Sequence, residues 1–282
     1  MSIYILKWKY WRAVLYKHPG IIGAFCCLLL WFVVTQWQLV GRTLIASPLE
    51  VTHVVVDSLA GRLAREENVF IQASATIRRV LIGWSLSLLA GIIIGTILGL
   101  ASTANRIIEP VVEFFRSIPP IMLFPLFLVA FNYNEEAYIV TIALGCIPLV
   151  VLTVAQGFQQ VSSVRLEILE VFRVTKGVRL FAQIMEILPS CVLAARLAFS
   201  ISIIVTVVSE MVFTPRDGMA LGALAKQAEM AFHTPILIAS ILIIGLFGYA
   251  GNLGIRKIEE RLGYSKINGI LGGEHSTLNL PR

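Results

Sequence analysis

Six apolar runs, each about 20 residues or longer, limit what this chain can fold into more than any other feature. They lie at roughly 20–40, 80–101, 107–131, 137–157, 189–212 and 234–254. A helix rises about 1.5 Å per residue, so about 20 apolar residues reach across the hydrocarbon of a bilayer. In that layer every backbone N–H and C=O needs a partner within its own segment, which selects the helix. Composition points the same way. Of the 282 residues, 57% are hydrophobic and 14% charged, with a mean hydropathy of +0.83, whereas soluble domains are about a quarter charged. Such a chain cannot cover itself with polar groups in water. The expected fold is an all-α integral membrane protein of about six transmembrane helices, one domain over 20–262.

The ends and loops set the orientation. Residues 1–19 are basic, contain no acid and carry Trp and Tyr, the pattern of an interfacial cytoplasmic segment. The apolar run from Gly20 to Val40 is too long for the core of a signal peptide and fits an uncleaved first helix. With the N-terminus inside, Lys and Arg favour the inside loops over the outside ones by two to one, so both termini are expected in the cytoplasm. The net charge of +6 is thus a membrane-topology signal and no sign of a nucleic-acid partner. The longest outside segment, Gly41 to Ala75, contains "SPLEVTHVVVDSLAGRLAREE", read as an amphipathic surface helix opening at Ser47-Pro48, with His53 solvated or packed. The tail 263–282, with its glycines, is expected to be loose.

Several chemistries are excluded. No GxxxxGK[ST] cradle, no HExxH and no Cys/His zinc spacing occurs. No pair of acids has a catalytic arrangement. No catalytic residue, metal site or cofactor of the chain's own is expected. Cys26, Cys27, Cys146 and Cys191 all lie in or beside apolar runs and read as small apolar fillers.

Three spans carry polar or conformational signals. "GIIIGTILG" places Gly91, Gly95 and Gly99 on one helix face, where another backbone can approach closely. "EFFRSIPPIMLFPLF" puts Glu113 and Arg116 three apart and follows them with Pro119, Pro120 and Pro125. A broken helix at membrane depth is tolerated only inside protein or beside a wet cavity. Arg116 therefore lines a pathway, or else snorkels to the inner interface. "LAARLAFSISIIVTVVSEM" holds Arg196 and Glu210 in one span. About 21 Å of helix separates them, so each needs a partner elsewhere or a wet cavity.

The cytoplasmic stretch "EVFRVTKGVRLFAQIMEILPS", Glu170 to Ser190, interrupts the apolar runs. From Val161 to Glu186 it is charged on one side and apolar on the other, consistent with two short amphipathic helices broken around Lys176-Gly177. Its apolar face belongs on a membrane surface or in a partner's groove, and periodicity does not choose between them.

Here the chain resembles the inner-membrane permease subunits of bacterial ABC importers, of the sulfonate, nitrate and taurine type. Those permeases carry a cytoplasmic loop of Glu-Ala-Ala, three residues, Gly, nine residues, Ile, one residue and Leu-Pro. Glu170, Leu188 and Pro189 stand at that spacing. Val171 and Phe172 replace the alanines, Lys176 takes the Gly position with Gly177 one later, and Glu186 takes the Ile position with Ile187 one later. The likeness is collinear from about Pro48 to Leu262. It includes "SPLEV", "ATIRRVLIGWSLSLLAGIIIGTILGL", "IIEPVVEFFRSIPPIMLFPLFLVAF" and "LPSCVLAARLAFSISIIVTVVSEM".

The resemblance implies a permease of a binding-protein-dependent importer in the bacterial inner membrane. Two permease subunits, as two identical copies or two related chains, would form the pathway. Each would press its coupling loop, about 158–188 here, into a cleft of a cytoplasmic ABC ATPase that holds ATP and Mg. An extracytoplasmic solute-binding protein would deliver the solute, a small anion such as a sulfonate, nitrate or taurine. On this reading Glu170 caps or pairs with the ATPase, and Phe172, Leu180 and Phe181 form a buried anchor. Arg173, Lys176, Gly177 and Leu188 complete the contact, and Pro189 stops the loop before the fifth span. Two other readings remain: an accessory or scaffold subunit with a degenerate loop, or a stand-alone secondary carrier.

Overall fold

The computed structural model describes residues 19–37, 41, 44–161, 170–216 and 218–261. Every regular element among them is a helix: α1 Pro19–Gln36, α2 Pro48–Leu59, α3 Val69–Leu100, α4 Ser102–Ser117, α5 Pro120–Ala130, α6 Glu135–Gln159, α7 Lys176–Val212, α8 Leu221–Met230 and α9 Thr234–Arg261. The expected interfacial segment 1–19 lies outside the described residues up to residue 18, and so does the loose tail from 262 onward.

Four helices, α3, α6, α7 and α9, are each long and apolar enough to cross a membrane, and α4 with α5 makes a fifth span if the bent pair is counted as one. The shorter α1 covers the described part of the first run. Two boundaries differ from the sequence reading. The third span is not one helix: the axis turns by 85° at the break before Pro120. Prolines 119 and 120 cannot donate to the ladder, and the residue before each is driven out of the helical region, as Ile118 at ψ 120° and Pro119 at ψ 121° show. The second span begins at Val69, not near residue 80. Its extra turns carry Gln72, Thr76, Arg78 and Arg79, residues too polar to extend an apolar run.

The chain divides into two compact units. In the smaller one, up to Phe70 and from Leu224 to Leu242, α2 starts with a reciprocal cap. Glu50 N–H donates to Ser47 Oγ at 3.3 Å, and Ser47 N–H donates to Glu50 Oε2 at 2.7 Å. Pro48 occupies the first turn, where its missing N–H costs nothing. Trp31 Nε1 on α1 donates to Ala46 O at 3.1 Å, and Asn68 Nδ2 donates to Ser58 O at 2.7 Å.

The larger unit, Ile71 to Ala223 with Ile243 onward, contains the site. Its main apolar core joins Cys146, Val150, Val154 and Phe158 of α6 to Ile187, Ala194 and Ala198 of α7. A second cluster sets Phe199 of α7 against Val80 of α3 and Ile255 of α9. Trp84 of α3 packs edge-on to Phe199 at 5.5 Å and donates its indole N–H to Ala195 O at 2.9 Å, which satisfies the one polar atom of a partly buried ring.

Candidate functional site

Glu210 is wholly buried near the end of α7, and Arg79 of α3 is 1% exposed. Each supplies what the other needs. Arg79 Nη1 donates to Glu210 Oε1 at 2.9 Å and to Met219 O at 2.7 Å, and Nη2 donates to Glu135 Oε1 at 2.8 Å. Thr76 Oγ1 donates to Glu210 Oε2 at 2.8 Å, and Gly222 N–H donates to the same oxygen at 3.1 Å. Arg78 closes the group on Glu135 at 2.6 and 2.7 Å. An ion pair out of water is costly unless its remaining lone pairs and protons are matched, and here both Glu210 oxygens have donors.

The same group fixes the segment after α7. Ala220, Leu221 and Gly222 present three successive backbone N–H groups, which reach Gln72 Oε1 at 2.6 Å, Thr76 Oγ1 at 2.9 Å and Glu210 Oε2. These are the orphan donors at the start of α8, and a carboxylate suits that positive end. Gly222 is required by space: a Cβ there would lie 2.5 Å from Val207 O. Tyr138 Oη donates to Phe213 O at 2.7 Å, holding the first residue after α7 against α6.

Sequence reasoning singled out Glu210 as needing a partner on another helix or a wet cavity, and the structure supplies the partner, Arg79 of α3. The sequence reading began the second apolar run near residue 80 and so left Arg79 outside it, which the buried position within α3 corrects. The available signal was a two-arginine step directly ahead of an apolar run, at the same membrane end as the intramembrane acid.

Gly91, Gly95 and Gly99 face α6. A Cβ on them would come within 2.6 Å of Val150, 2.8 Å of Val154 and 2.3 Å of the Phe158 ring. The row continues backward through buried Ser87 to Gly83, where a Cβ would lie 2.7 Å from Ile142. Small residues every fourth position thus lie against large ones every fourth position. Gly145 of α6 likewise admits Pro120, at 2.5 Å from its absent Cβ.

Glu113 and Arg116 pair with each other on the last turn of α4, both about half exposed. Pro119 and Pro120 form the break, and Pro125 lies inside α5. An apolar cavity of about 370 Å³ lies beside this bend, lined by Phe115, Ile118, Pro120, Leu123 and residues of α3 and α6.

Of the expected coupling loop 158–188, residues 162–169 lie outside the described residues and Glu170 onward lies within them. The helix break falls at 172–175, with Arg173 at φ 49°. Lys176 and Gly177 then open α7, so the helix after the break is the 37-residue span helix and not a short one. Leu180, Phe181 and Leu188 lie on the same 37-residue helix that becomes the fifth span. Pro189 is inside that helix and does not stop it. The reason is local: a proline removes one N–H, whereas ending the helix at membrane depth would strand several backbone groups. Val171, Phe172 and Phe181 are 80%, 76% and 61% exposed. Glu170 lies 3.6 Å from Arg179, so within the chain it has a loose, solvent-exposed ion pair.

Arg196 is exposed on α7 and makes no ion pair among the described residues. It shares a cavity of about 350 Å³ with Leu197 and Ser200 of α7 and with Tyr249, Asn252, Leu253 and Arg256 of α9. Among the described residues no group of three His, Cys, Asp or Glu is placed to hold a metal ion.

Apolar spans, a bent helix pair within one apolar run and an ion pair buried in the bundle define a multi-pass membrane protein. The family of binding-protein-dependent transport system inner membrane components matches residues 87–264, more than half of the chain, and the chain belongs to it. The taurine transport system permease protein TauC of Escherichia coli is 24% identical over 255 residues, covering 89% of this chain and 92% of TauC. The bicarbonate transport system permease protein CmpB of Synechococcus elongatus is 25% identical, covering 85% and 87%. The nitrate import permease protein NrtB of Leptolyngbya laminosa is also 25% identical, covering 80% and 82%. A chain of the inward-facing MetNI methionine ABC transporter shares the fold, with a TM-score of 0.58 over 68% of this chain and 96% of that one at 18% identity. The protein is thus an importer permease subunit of the inner membrane and not a catalytic enzyme. The carrier and scaffold readings are not favoured.

Proposed function

We propose that the chain works with a second permease subunit to form the solute pathway of an ATP-driven importer. The segment from Glu170 to Phe181 docks on a separate ABC ATPase, which binds ATP and Mg. An extracytoplasmic binding protein delivers the solute. One observation carries the coupling. Exposed Phe181 stands on α7 itself, unbroken from Lys176 to the Glu210 network, and exposed Val171 and Phe172 lie just ahead of it across the break at 172–175. That helix is about 55 Å long. A push on Phe181 therefore has a continuous helix to the far end of the span. Phe172 is larger than the alanine found at this position in the family's loop, so the ATPase that receives it needs a correspondingly wide groove.

The solute proposed is a small anion or zwitterion of the sulfonate, nitrate or taurine kind. The names of the relatives support this class. So does the cavity that Arg196 shares with Arg256.

The test is co-purification. The chain is tagged, extracted in mild detergent from its native membrane and analysed by mass spectrometry beside Phe172→Ala and Phe181→Ala. An ABC ATPase held by the unaltered chain and lost with the variants is the expected result. Equal recovery of the ATPase with all three chains, or no ATPase with any, would overturn the docking assignment.

A further inference from the structure

Both α4 and α5 pack on α6, yet they diverge from each other by 85°. The cavity of about 370 Å³ beside their break takes its lining from both helices, from α6 and from Ile94 of α3. At the break itself the packing is tight: Pro120 comes so near Gly145 that a Cβ there would lie 2.5 Å away. The space thus follows from the bend and not from loose packing. Every lining residue among those described is aliphatic, aromatic, proline or glycine. A water needs about two to four polar partners to stay in such a place, and a charged solute needs more. The lining therefore gains contacts only from an apolar occupant. Leu144 and Phe115 of the lining are exposed, so the cavity is open to the surroundings of the chain. Those surroundings are hydrocarbon, since α3, α6 and the α4–α5 pair are the helices that cross the membrane.

Size selects the occupant. Along α6 the lining runs from Leu144 to Val151, about 10 Å of helix. An apolar cavity of about 150 Å³ takes one benzene, so this one takes roughly fifteen carbon atoms at the same density. A helix of a second copy, about 10 Å across, would fill roughly 800 Å³ over that length, far more than the cavity offers. We propose that the cavity binds one acyl chain of a membrane lipid, held as a built-in part of the third span. A chain seated there also closes the cavity to any polar solute. The inference uses neither the ATPase nor the solute and stands apart from the importer reading above.

The experiment uses the full chain with whatever subunits co-purify, in phosphatidylcholine nanodiscs that include a form with a diazirine midway along one acyl chain. The discs are dissolved in detergent, washed free of loosely held lipid and then irradiated. Peptide mass spectrometry compares adducts on Leu144 and Ile147 with those on Leu246 of α9, which is exposed and outside the lining. At least fivefold more label at the cavity is expected, with one lipid retained per chain in native spectra. Leu144→Trp and Val112→Phe fill the space, and each is expected to cut the cavity label at least fivefold. Leu144→Ala, which leaves the space open and guards against misfolding, should stay within twofold of the unaltered chain. Returning phosphatidylcholine to the washed protein should raise the melting midpoint of the unaltered chain by a few degrees and leave that of the filling variants where it was. Label at the cavity no greater than at Leu246, or unchanged in both filling variants, overturns the proposal. So does a disulfide between two copies through Phe115→Cys in place of lipid adducts, which gives the cavity to an interface between copies.

Discussion

The two ends of α7 are built on opposite terms. At the Val212 end, inside the membrane protein, it buries a carboxylate and surrounds it with an arginine, a threonine and a backbone N–H. At the Lys176 end, on the polar side, it leaves Phe181 and the preceding Val171 and Phe172 exposed. Polar groups are inside where the solvent is lipid, and apolar groups are outside where it is water. The first arrangement is complete within this chain, since each buried charge meets its partner. The second is incomplete, since exposed aromatic groups on a charged segment gain only when something covers them.

The largest expected effect comes from breaking the complete end. Glu210→Ala takes from Arg79 its wholly buried carboxylate partner, and the loss of one partner of a buried pair costs about 3–5 kcal/mol. Thermal unfolding in detergent should register it as a large drop in midpoint. Replacing both partners, as in Arg79→Met with Glu210→Met, should cost far less than Glu210→Ala alone, since buried pairs often exchange with apolar pairs at little loss. A double variant as unstable as the single one would show that the network does more than balance charge.

Close packing near the middle of α3 comes next. Gly95→Leu has to displace Val151 O, a backbone atom 2.9 Å from the added Cβ, and overpacking of this kind costs about 1–3 kcal/mol. Gly254→Ala, with nothing within 4 Å of the added Cβ, should be neutral or slightly stabilising by helix propensity. Equal responses of the two variants in the same melt would remove the close α3–α6 approach from the account.

The incomplete end predicts a split readout. Phe172→Ala should leave the melting of the isolated chain within about 0.5 kcal/mol of the unaltered protein, as for an ordinary surface change. Its ATPase recovery should nonetheless fall tenfold or more, the usual size of a buried aromatic anchor. The smallest effect belongs to Arg179→Ala. Its pairing with Glu170 at 3.6 Å is solvent-exposed, and such pairs contribute about 0–1 kcal/mol. A large drop in the melt from this variant would mean that the Glu170 end is held within the chain, contrary to the contrast drawn here.

Different parts of the molecule were legible to different degrees. The spans and their approximate positions followed from apolar run length, because the membrane imposes that length, although only four helices and one bent pair reach it among the described residues. The glycine row was readable as a face, and α6 as its counterpart was not. Period four tells which residues align on one helix and nothing about which helix arrives. Pro189 misled because proline at a soluble helix end marks a stop, whereas in a span the missing N–H is a smaller loss than an unwound turn. Arg79 was misassigned because a charged residue next to an apolar run looks like a loop until a buried acid claims it.

Sequence alone determined that this chain lives in a bilayer, roughly where it crosses and, through the spacing of Glu170, Leu188 and Pro189, which family to compare it with. These are local or one-dimensional properties, set by apolar length, charge placement and motif spacing. Tertiary structure alone decided that Glu210 pairs with Arg79 from 131 positions away, that the third span turns by 85°, and that Arg196 and Arg256 share one cavity. Each depends on two distant segments meeting in space. The solvation of a buried charge or an orphan acceptor is fixed only by what that meeting brings within hydrogen-bond reach.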